Sequence, residues 1–257
     1  MSLLSKDYLR YTFFFMLLGW GSCLILSACG FSLSQDYGLY IPYLLGGMSP
    51  TIASFLSLKK NQKLHSVKEW IKQLFDFRHG LFSYLLPVVF SVLYILPQCW
   101  ISGYTNGAPL PAILIMIPMM LFGGGLEEAG WRRILQREFE KKYSFTLSTL
   151  LTGIIWWLWH LPLFFIQGAA QYGQNYFLFG INVLGLSFAL ASIRKVTHSV
   201  WLCILFHCII NSLMGIYLIQ ASLLGNTASA ILLTASAYLV AAMDLVKNIP
   251  AEKKTPR

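Results

Sequence analysis

The chain has 257 residues, of which 56% are hydrophobic and 11% are charged, and its mean hydropathy is +0.62. About a quarter of the residues of a soluble globular domain are charged, so this composition excludes that class and indicates an integral membrane protein. The formal charge of +9 does not indicate nucleic-acid binding, because the basic residues lie between apolar blocks and form no basic face with interleaved aromatic residues.

Apolar runs of about 20 residues, the length that a helix needs to cross the hydrocarbon layer, recur along the chain. They predict an all-α fold, a polytopic membrane helical bundle with about eight transmembrane helices. Pro42 and Pro50 are expected to kink the second of them. The predicted spans are residues 11–31, 38–58, 81–101, 111–130, 145–167, 176–193, 199–220 and 228–246.

The polar segment 59–78 between the second and third spans carries an amphipathic pattern. Its apolar residues fall at positions 67, 70, 71, 74 and 75, which is the spacing of one helix face. We expect a helix that is basic on its polar side, carries Trp70 and Phe75 on the other, and lies in the membrane interface. A solvated linker is the alternative.

The charges of the connections predict the orientation of the chain. Segments rich in lysine and arginine would all fall on one side of the membrane, whereas the connections 102–110, 168–175 and 221–227 carry no charge. By the positive-inside rule, both termini are then expected to be cytoplasmic. The basic segments are residues 6–10, 59–78, 132–142, 194–195 and 247–257.

The five cysteines match neither a zinc site nor a disulfide framework in their spacing, and we interpret them as packing residues. An alternative exists for Cys29, because the sequence LSAC at 26–29 resembles a bacterial lipobox. In that case Cys29 would be a lipidated N-terminus, and an intact-mass measurement would show it.

Ionisable groups within the apolar spans are candidates for function. Such groups cost about 2.5 to 3.5 kcal/mol each on insertion scales, so they are kept only where something compensates. Glu127 interrupts the fourth span, and His160 and His207 lie inside the fifth and seventh. Glu127 and His160 stand 33 positions apart around a polar break at 143–144. At 1.5 Å per residue each lies about 25 Å from that turn, so the two are expected to face each other at one depth.

Two pairs of polar residues stand four positions apart, which places each pair on one face of a helix. His207 and Asn211 form one pair, and Glu128 and Arg132 form the other. We expect Arg132 to neutralise Glu128, which leaves Glu127 on a different part of the helix and free to meet the histidines.

A glutamate, two histidines and an asparagine in a lipid-enclosed space fit three kinds of chemistry. The glutamate could activate a water molecule, with donors for the oxyanion nearby. Glu127, His160 and His207 would also make a common catalytic zinc set. A proton or ion pathway is the third, although the spans offer no second string of ionisable residues towards the opposite face, and Asp244 is isolated near the end of its helix.

Three motifs in this order resemble those of a known family. The sequence EEAGWR at 127–132 fits EExxxR, His160 fits FxxxH, and His207 with Asn211 fits HxxxN/D. The chain therefore resembles, over about residues 110–220, the type II CAAX prenyl endopeptidases, also called the CPBP (CAAX protease and bacteriocin-processing) or Abi family.

The chain departs from the family pattern at three aromatic or small positions. Trp156 stands where the family usually has phenylalanine, and Trp131 and Arg133 replace the commoner phenylalanine and glycine. We expect Trp131 and Trp156 to line the substrate pocket, where they would keep an aromatic wall.

The resemblance implies an intramembrane endopeptidase whose site opens to the cytosol. It implies that Glu127 with His160 activates water, while His207 with Asn211 holds the scissile carbonyl. The residues expected to be catalytic are Glu127, His160, His207 and Asn211, and those expected to support them are Glu128 and Arg132. No cofactor is expected, with one zinc ion held by Glu127, His160 and His207 as the alternative.

The resemblance also suggests partners and a location. We expect contact with membrane lipid, a membrane-associated peptide or protein as substrate, with a C-terminal cut as one option, and no nucleic acid. A bacterial plasma membrane is the expected location, and a non-catalytic bacteriocin-immunity or scaffold protein that binds through the same polar cluster is the alternative function. The catalytic core would span 110–220, between an N-terminal region (1–109) of three spans with the interfacial basic helix and a C-terminal region (221–257) with the last span and a basic cytoplasmic tail.

Overall fold

The computed structural model describes residues 1–247, with side chains as far as residue 243. The described part is helical apart from one two-stranded antiparallel sheet. The helices are α1 (Leu3–Met16), α2 (Ser22–Ala28), α3 (Tyr40–Gly47), α4 (Ser49–Lys60), α5 (Val67–Leu74), α6 (Leu81–Ser102), α7 (Ile113–Met119), α8 (Glu128–Gly130), α9 (Arg137–Glu140), α10 (Phe145–Trp159), α11 (Tyr176–Thr197), α12 (Val200–Ile216) and α13 (Leu223–Lys247). The strands are β1 (Tyr104–Asn106) and β2 (Tyr217–Ile219), and short π-helical turns join α1 to α2 (Leu17–Gly21) and α8 to α9 (Trp131–Gln136).

Eight apolar helical segments of the described chain correspond to the predicted spans, which confirms the all-α membrane bundle. Helices α3 and α4 form one span that bends by 45°, as expected next to Pro50, which lies in the first turn of α4. Four further segments are long and apolar enough to cross a membrane, namely Leu3–Ala28, Leu81–Ser102, Tyr176–Thr197 and Leu223–Met243. Three shorter apolar helices complete the set, at Leu110–Met119, Phe145–Trp159 and Val200–Ile216.

The fourth predicted span is not one continuous helix. Helix α7 ends at Met119, just after Pro118, and the chain passes through three glycines before helical structure resumes at Gly125. Gly124 has φ +138°, a conformation that side-chain-bearing residues rarely adopt. The helical path then continues to Glu140.

The fifth span also ends earlier than predicted. His160 was expected well inside the helix, but it is the C-cap residue of α10, and a short 3-10 turn follows. Pro162 explains the ending, because proline disfavours the helical conformation in the residue before it and cannot donate a backbone hydrogen bond. His160 therefore lies at a helix end, where its ring can leave the helix surface.

Side-chain caps fix the starts of the helices that carry or flank the site. Each capping oxygen accepts from backbone N–H groups that the first helical turn would otherwise leave unpaired. The capping residues are Ser66 for α5, Ser144 for α10, Asn175 for α11 and Ser199 for α12.

The predicted amphipathic helix is present as α5, but much of its apolar face packs on the protein rather than on lipid. The Trp70 indole nitrogen donates to Ser54 Oγ at 3.3 Å, and Leu74 is fully buried. Phe75 packs against Trp201 with ring centroids 5.6 Å apart. Its aromatic residues thus dock the helix onto the bundle, while Val67 and Ile71 stay exposed, and its location in the membrane interface remains a prediction.

The two ends of the bundle differ in charge. At one end, β1 pairs with β2 and the Leu33 N–H donates to the Gln167 carbonyl at 3.0 Å, so the charge-free connections meet there. At the other end, Lys60 pairs with Asp7 at 2.8 Å and Arg133 donates to Gln73. The basic segments thus gather at one end, as predicted, while the basic tail 248–257 and the Asp244 side chain lie outside the described residues.

A chain of aromatic contacts joins the N-terminal spans to the helices of the core. Tyr8 meets Trp131 edge-on at 5.6 Å between ring centroids, and Trp131 meets Trp159 at 5.7 Å. Trp20 then packs on Trp159 at 4.4 Å. Aromatic pairs in such arrangements add about 0.5 to 1.5 kcal/mol each beyond the burial of their area. The first spans therefore support the site from behind.

Candidate active site

A cavity of about 520 Å³ lies inside the bundle. Its walls come from α3, α6, α10, α11, α12 and the glycine-rich turn after α7. All four residues that the sequence predicts as catalytic line it, namely Glu127, His160, His207 and Asn211. The structure thus brings together side chains that are up to 84 positions apart in the sequence.

The Glu127 carboxylate is held by two tryptophans. It is 7% exposed, and its Oε2 atom accepts from the indole Nε1 of Trp156 at 2.9 Å and of Trp131 at 3.3 Å. Among the described residues, its Oε1 atom has no hydrogen-bond partner. Both tryptophans therefore bind Oε2, and Oε1 is free to contact a molecule in the cavity.

His160 has a hydrogen bond that fixes its ring. Its Nδ1 lies 2.7 Å from the Trp156 carbonyl oxygen, which can only accept, so Nδ1 carries a proton. A neutral imidazole then has Nε2 as an acceptor. No hydrogen bond joins His160 to Glu127 in the described part of the chain, although both line the cavity.

His207 is held by the second glutamate of the motif. Its Nδ1 lies 2.8 Å from Glu128 Oε1, and Glu128 Oε2 accepts from Arg132 Nε at 3.1 Å. The side chains of Glu128 and Arg132 are fully buried, which confirms the expected ion pair. A buried pair of this kind needs good geometry and further hydrogen bonds to offset its desolvation. Arg132 also donates to Ser187 Oγ at 3.1 Å.

This contact between Glu128 and His207 was not predicted. Sequence reasoning paired Glu128 with Arg132 alone, because spacing along one helix shows only the partners on that helix. The structure shows that Glu128 uses one oxygen for each partner and so links the fourth span to the seventh.

Gly124 brings backbone close to the polar residues of α12. A Cβ atom at this position would lie 2.6 Å from Asn211 Nδ2 and 2.8 Å from His207 Nε2. Asn211 Nδ2 also donates to the Gly123 carbonyl at 2.8 Å. The contacts of Gly124 show close approach of the backbone to the two side chains.

The two tryptophans expected in the substrate pocket have different positions. Trp156 lines the cavity between the two histidines, with ring centroids 5.6 Å from His160 and 5.5 Å from His207. Trp131 is fully buried behind Glu127 and does not line the cavity. The assignment of Trp131 to the pocket is therefore corrected. Its ring faces Tyr8 and Trp159, because the first spans cover that side of the helix.

The side chains do not form a metal-binding cluster. Among the described residues, no group of three His, Cys, Asp or Glu side chains is placed to hold a metal ion. The Nδ1 atoms of both histidines are already engaged with protein acceptors. These contacts leave Nε2 as the free ring nitrogen of each histidine, which is also the arrangement of a histidine that ligates a metal, so the zinc alternative stays a prediction.

The lining of the cavity extends to the end of the bundle where the charge-free connections meet. Its outer wall includes β2 and residues of the 168–175 connection, and no described lining residue comes from the basic segments. The sequence predicts that the basic segments are cytoplasmic, and the resemblance implies that the site opens to the cytosol. Together these expectations place the basic segments and the opening at the same end of the bundle. The lining of the cavity reaches the end opposite to the basic segments, and the side of the membrane to which the site opens stays a prediction.

The outer wall is rich in side-chain amides, which sequence reasoning missed. It carries no lysine or arginine among the described lining residues. The sequence feature that could have indicated this wall is the presence of asparagine and glutamine inside apolar spans, for example Gln98 and Asn182. The amide residues are Gln98, Gln171, Gln174, Asn175, Asn182 and Asn226.

Comparison with known proteins gives concordant results. Residues 109–213 match the family model described as Type II CAAX prenyl endopeptidase Rce1-like. CAAX prenyl protease 2 of Methanococcus maripaludis is 29% identical over 207 residues, covering 70% of this chain and 74% of that protein. The chain is thus similar, over residues 109–213, to the Rce1-like type II CAAX prenyl endopeptidases, and it is an integral membrane protease.

Proposed function

We propose that this chain hydrolyses a peptide bond of a membrane-associated peptide or protein by means of Glu127, His160, His207 and Asn211, without a bound metal. The observation that carries the proposal is the cavity that these four side chains share, with the buried Glu127 carboxylate anchored through one oxygen only. Desolvated groups of this kind are much stronger bases and hydrogen-bonding partners than they are in water.

Glu127 and His160 would activate the water. The free Oε1 of Glu127 and the unprotonated Nε2 of His160 are both acceptors, and a water molecule has two protons to donate. As the water oxygen bonds to the carbonyl carbon, one proton passes to Glu127. The same proton then moves to the leaving nitrogen as the C–N bond breaks, which gives a carboxylic acid and an amine.

His207 and Asn211 would stabilise the oxyanion that forms on the carbonyl oxygen. Because Glu128 accepts a hydrogen bond from His207 Nδ1, a protonated His207 directs its Nε2–H into the cavity near Gly124. Asn211 uses one N–H on the Gly123 carbonyl and has a second for the substrate. A single donor in such a position is worth about 2.7 to 4 kcal/mol of transition-state stabilisation.

The cavity wall favours an uncharged stretch of polypeptide. Side-chain amides can both donate to and accept from an extended backbone, whereas the described wall has no lysine or arginine to neutralise a carboxylate. The relative from M. maripaludis is named a CAAX prenyl protease. For this chain we propose an extended, neutral segment of a membrane-associated peptide or protein, with a C-terminal cut as one form of this reaction.

Glu127→Gln tests the proposal. The amide keeps the size of the side chain but cannot take a proton, so cleavage should be lost while the thermal stability of the purified protein is retained. Peptides from membranes that carry the native chain and the variant should then differ in cleaved products. Glu69→Gln on α5, a matched change outside the cavity, should leave the products unchanged.

Equal product patterns for the native chain and Glu127→Gln would overturn the catalytic proposal. If a cellular phenotype of the native chain also survived in Glu127→Gln, the non-catalytic immunity or scaffold function would replace it.

A further inference from the structure

A second cavity, of about 170 Å³, lies at the basic end of the bundle. It shares no lining residue with the active-site cavity. Three arginines, two histidines and a tryptophan contribute to its wall, namely Arg133, Arg137, Arg194, His79, His198 and Trp201. These residues come from three separate parts of the chain, so the fold assembles a positive site that no single motif predicts.

Several nitrogen atoms of this wall are buried and have no hydrogen-bond partner among the described residues. They are Arg133 Nη1, Arg194 Nε, His79 Nε2 and Trp201 Nε1. Arg194 is only 8% exposed, so its guanidinium is largely removed from water. Buried donors are nearly always paired in folded proteins. Four unpaired nitrogens around one cavity therefore indicate an acceptor that binds there.

The beginning of α12 adds to the positive potential. Ser199, Val200 and Trp201 line the cavity, and they are the N-cap and the first two residues of this 17-residue helix. The first turn of a helix presents unpaired N–H groups and the positive end of the helix dipole. Asp76 is the one acidic residue in the described wall, and Arg78 already engages its carboxylate at 2.9 and 3.3 Å.

We propose that this cavity binds a phosphate group, either the headgroup of an anionic phospholipid or a free phosphate. Arginine guanidinium groups match the oxygens of phosphate in charge and geometry. The cavity lies among helices α5, α9, α11 and α12, so a bound phosphate would join the peripheral helix α5 to the bundle. Arg137 is exposed at the wall and gives the ligand a route from solvent or membrane surface.

Thermal unfolding of the full-length protein tests the site. The purified chain would be placed in nanodiscs of phosphatidylcholine alone or with phosphatidylglycerol, and each sample would be titrated with inorganic phosphate against chloride at equal ionic strength. A ligand that binds only the folded protein raises the unfolding temperature with its concentration. We expect at least one phosphate source to raise the unfolding temperature of the native chain. In Arg194→Gln the apparent affinity should fall by about tenfold or more, since one charge-assisted hydrogen-bonding group is lost.

Lys195→Gln is the matched control, because it removes the same charge from the neighbouring position, outside the cavity wall. It should keep the native response. Arg137→Gln gives a second test at an exposed side chain in case Arg194→Gln does not fold. A response to phosphatidylglycerol alone identifies a lipid headgroup, and a response to inorganic phosphate alone identifies a soluble ligand.

No stabilisation by either source would overturn the proposal. An equal response in the native chain, Arg194→Gln and Arg137→Gln would do the same, since the binding would then occur elsewhere.

Discussion

Trp156→Phe separates the positioning of Glu127 from the packing of the pocket. Phenylalanine keeps an aromatic ring between the two histidines but removes the indole N–H that donates to Glu127 Oε2 at 2.9 Å. A hydrogen bond to a charged group contributes about 1.5 to 3 kcal/mol, which corresponds to a change of about 10- to 150-fold in rate if it is lost in the transition state. We therefore expect kcat to fall by at least about tenfold with little change in KM.

Two other tryptophans serve as matched comparisons. Trp157 is the next residue of α10, but its indole donates to the Tyr176 carbonyl at 3.1 Å rather than to Glu127. Trp157→Phe removes the same volume and should leave kcat near the native value. Trp131→Phe removes the longer bond to Glu127, of 3.3 Å, and should have a smaller effect than Trp156→Phe.

The assay is steady-state cleavage, in detergent, of a peptide that the native chain cuts, with the unfolding temperature of each variant measured alongside. Native kcat in Trp156→Phe would refute the claim that the indole positions the base. An equal loss of activity in Trp157→Phe would show that packing of α10, rather than this hydrogen bond, determines the rate.

Three further predictions concern the backbone, the membrane orientation and the metal. Gly124→Ala should abolish cleavage and destabilise the protein by about 1 to 3 kcal/mol in chemical denaturation, because its Cβ would crowd His207 and Asn211 in a backbone conformation unfavourable to alanine; native activity in this variant would contradict the close approach. In a cysteine-free background, an impermeant maleimide added to intact cells should label Gln174→Cys and spare Lys142→Cys, because the basic end is expected to be cytoplasmic; the reverse pattern would place the cavity mouth in the cytosol and the termini outside. Activity should survive dialysis against a zinc chelator, and its loss with recovery on added zinc would refute the metal-free mechanism.

Much of the site could be read from the sequence because membranes penalise ionisable groups. Glu127, His160 and His207 stand out in apolar spans, and counting from the polar turn at 143–144 places the first two at one depth. The same reasoning failed where breaks in helices matter. It extended the fourth span through three glycines and the fifth beyond Pro162, because hydropathy measures apolar content and not backbone continuity.

The partners of each side chain depended on the tertiary structure. Spacing along one helix predicted the pair of Glu128 with Arg132, since both lie on the same face. It could not predict that Glu128 also binds His207, 79 positions away, or that Trp131 faces the first spans rather than the cavity. Contacts of this kind depend on how helices are rotated against each other, which periodicity within one helix does not specify.

The sequence by itself determined the membrane class, the set of helices and the polar residues available for chemistry, because the cost of burying charge in lipid acts on each span separately. Only the tertiary structure decided which carboxylate oxygen stays free and which residues form the cavity wall. It likewise assembled the arginine-lined cavity from three distant segments. These properties arise from the packing of helices on one another, and so they depend on the whole chain.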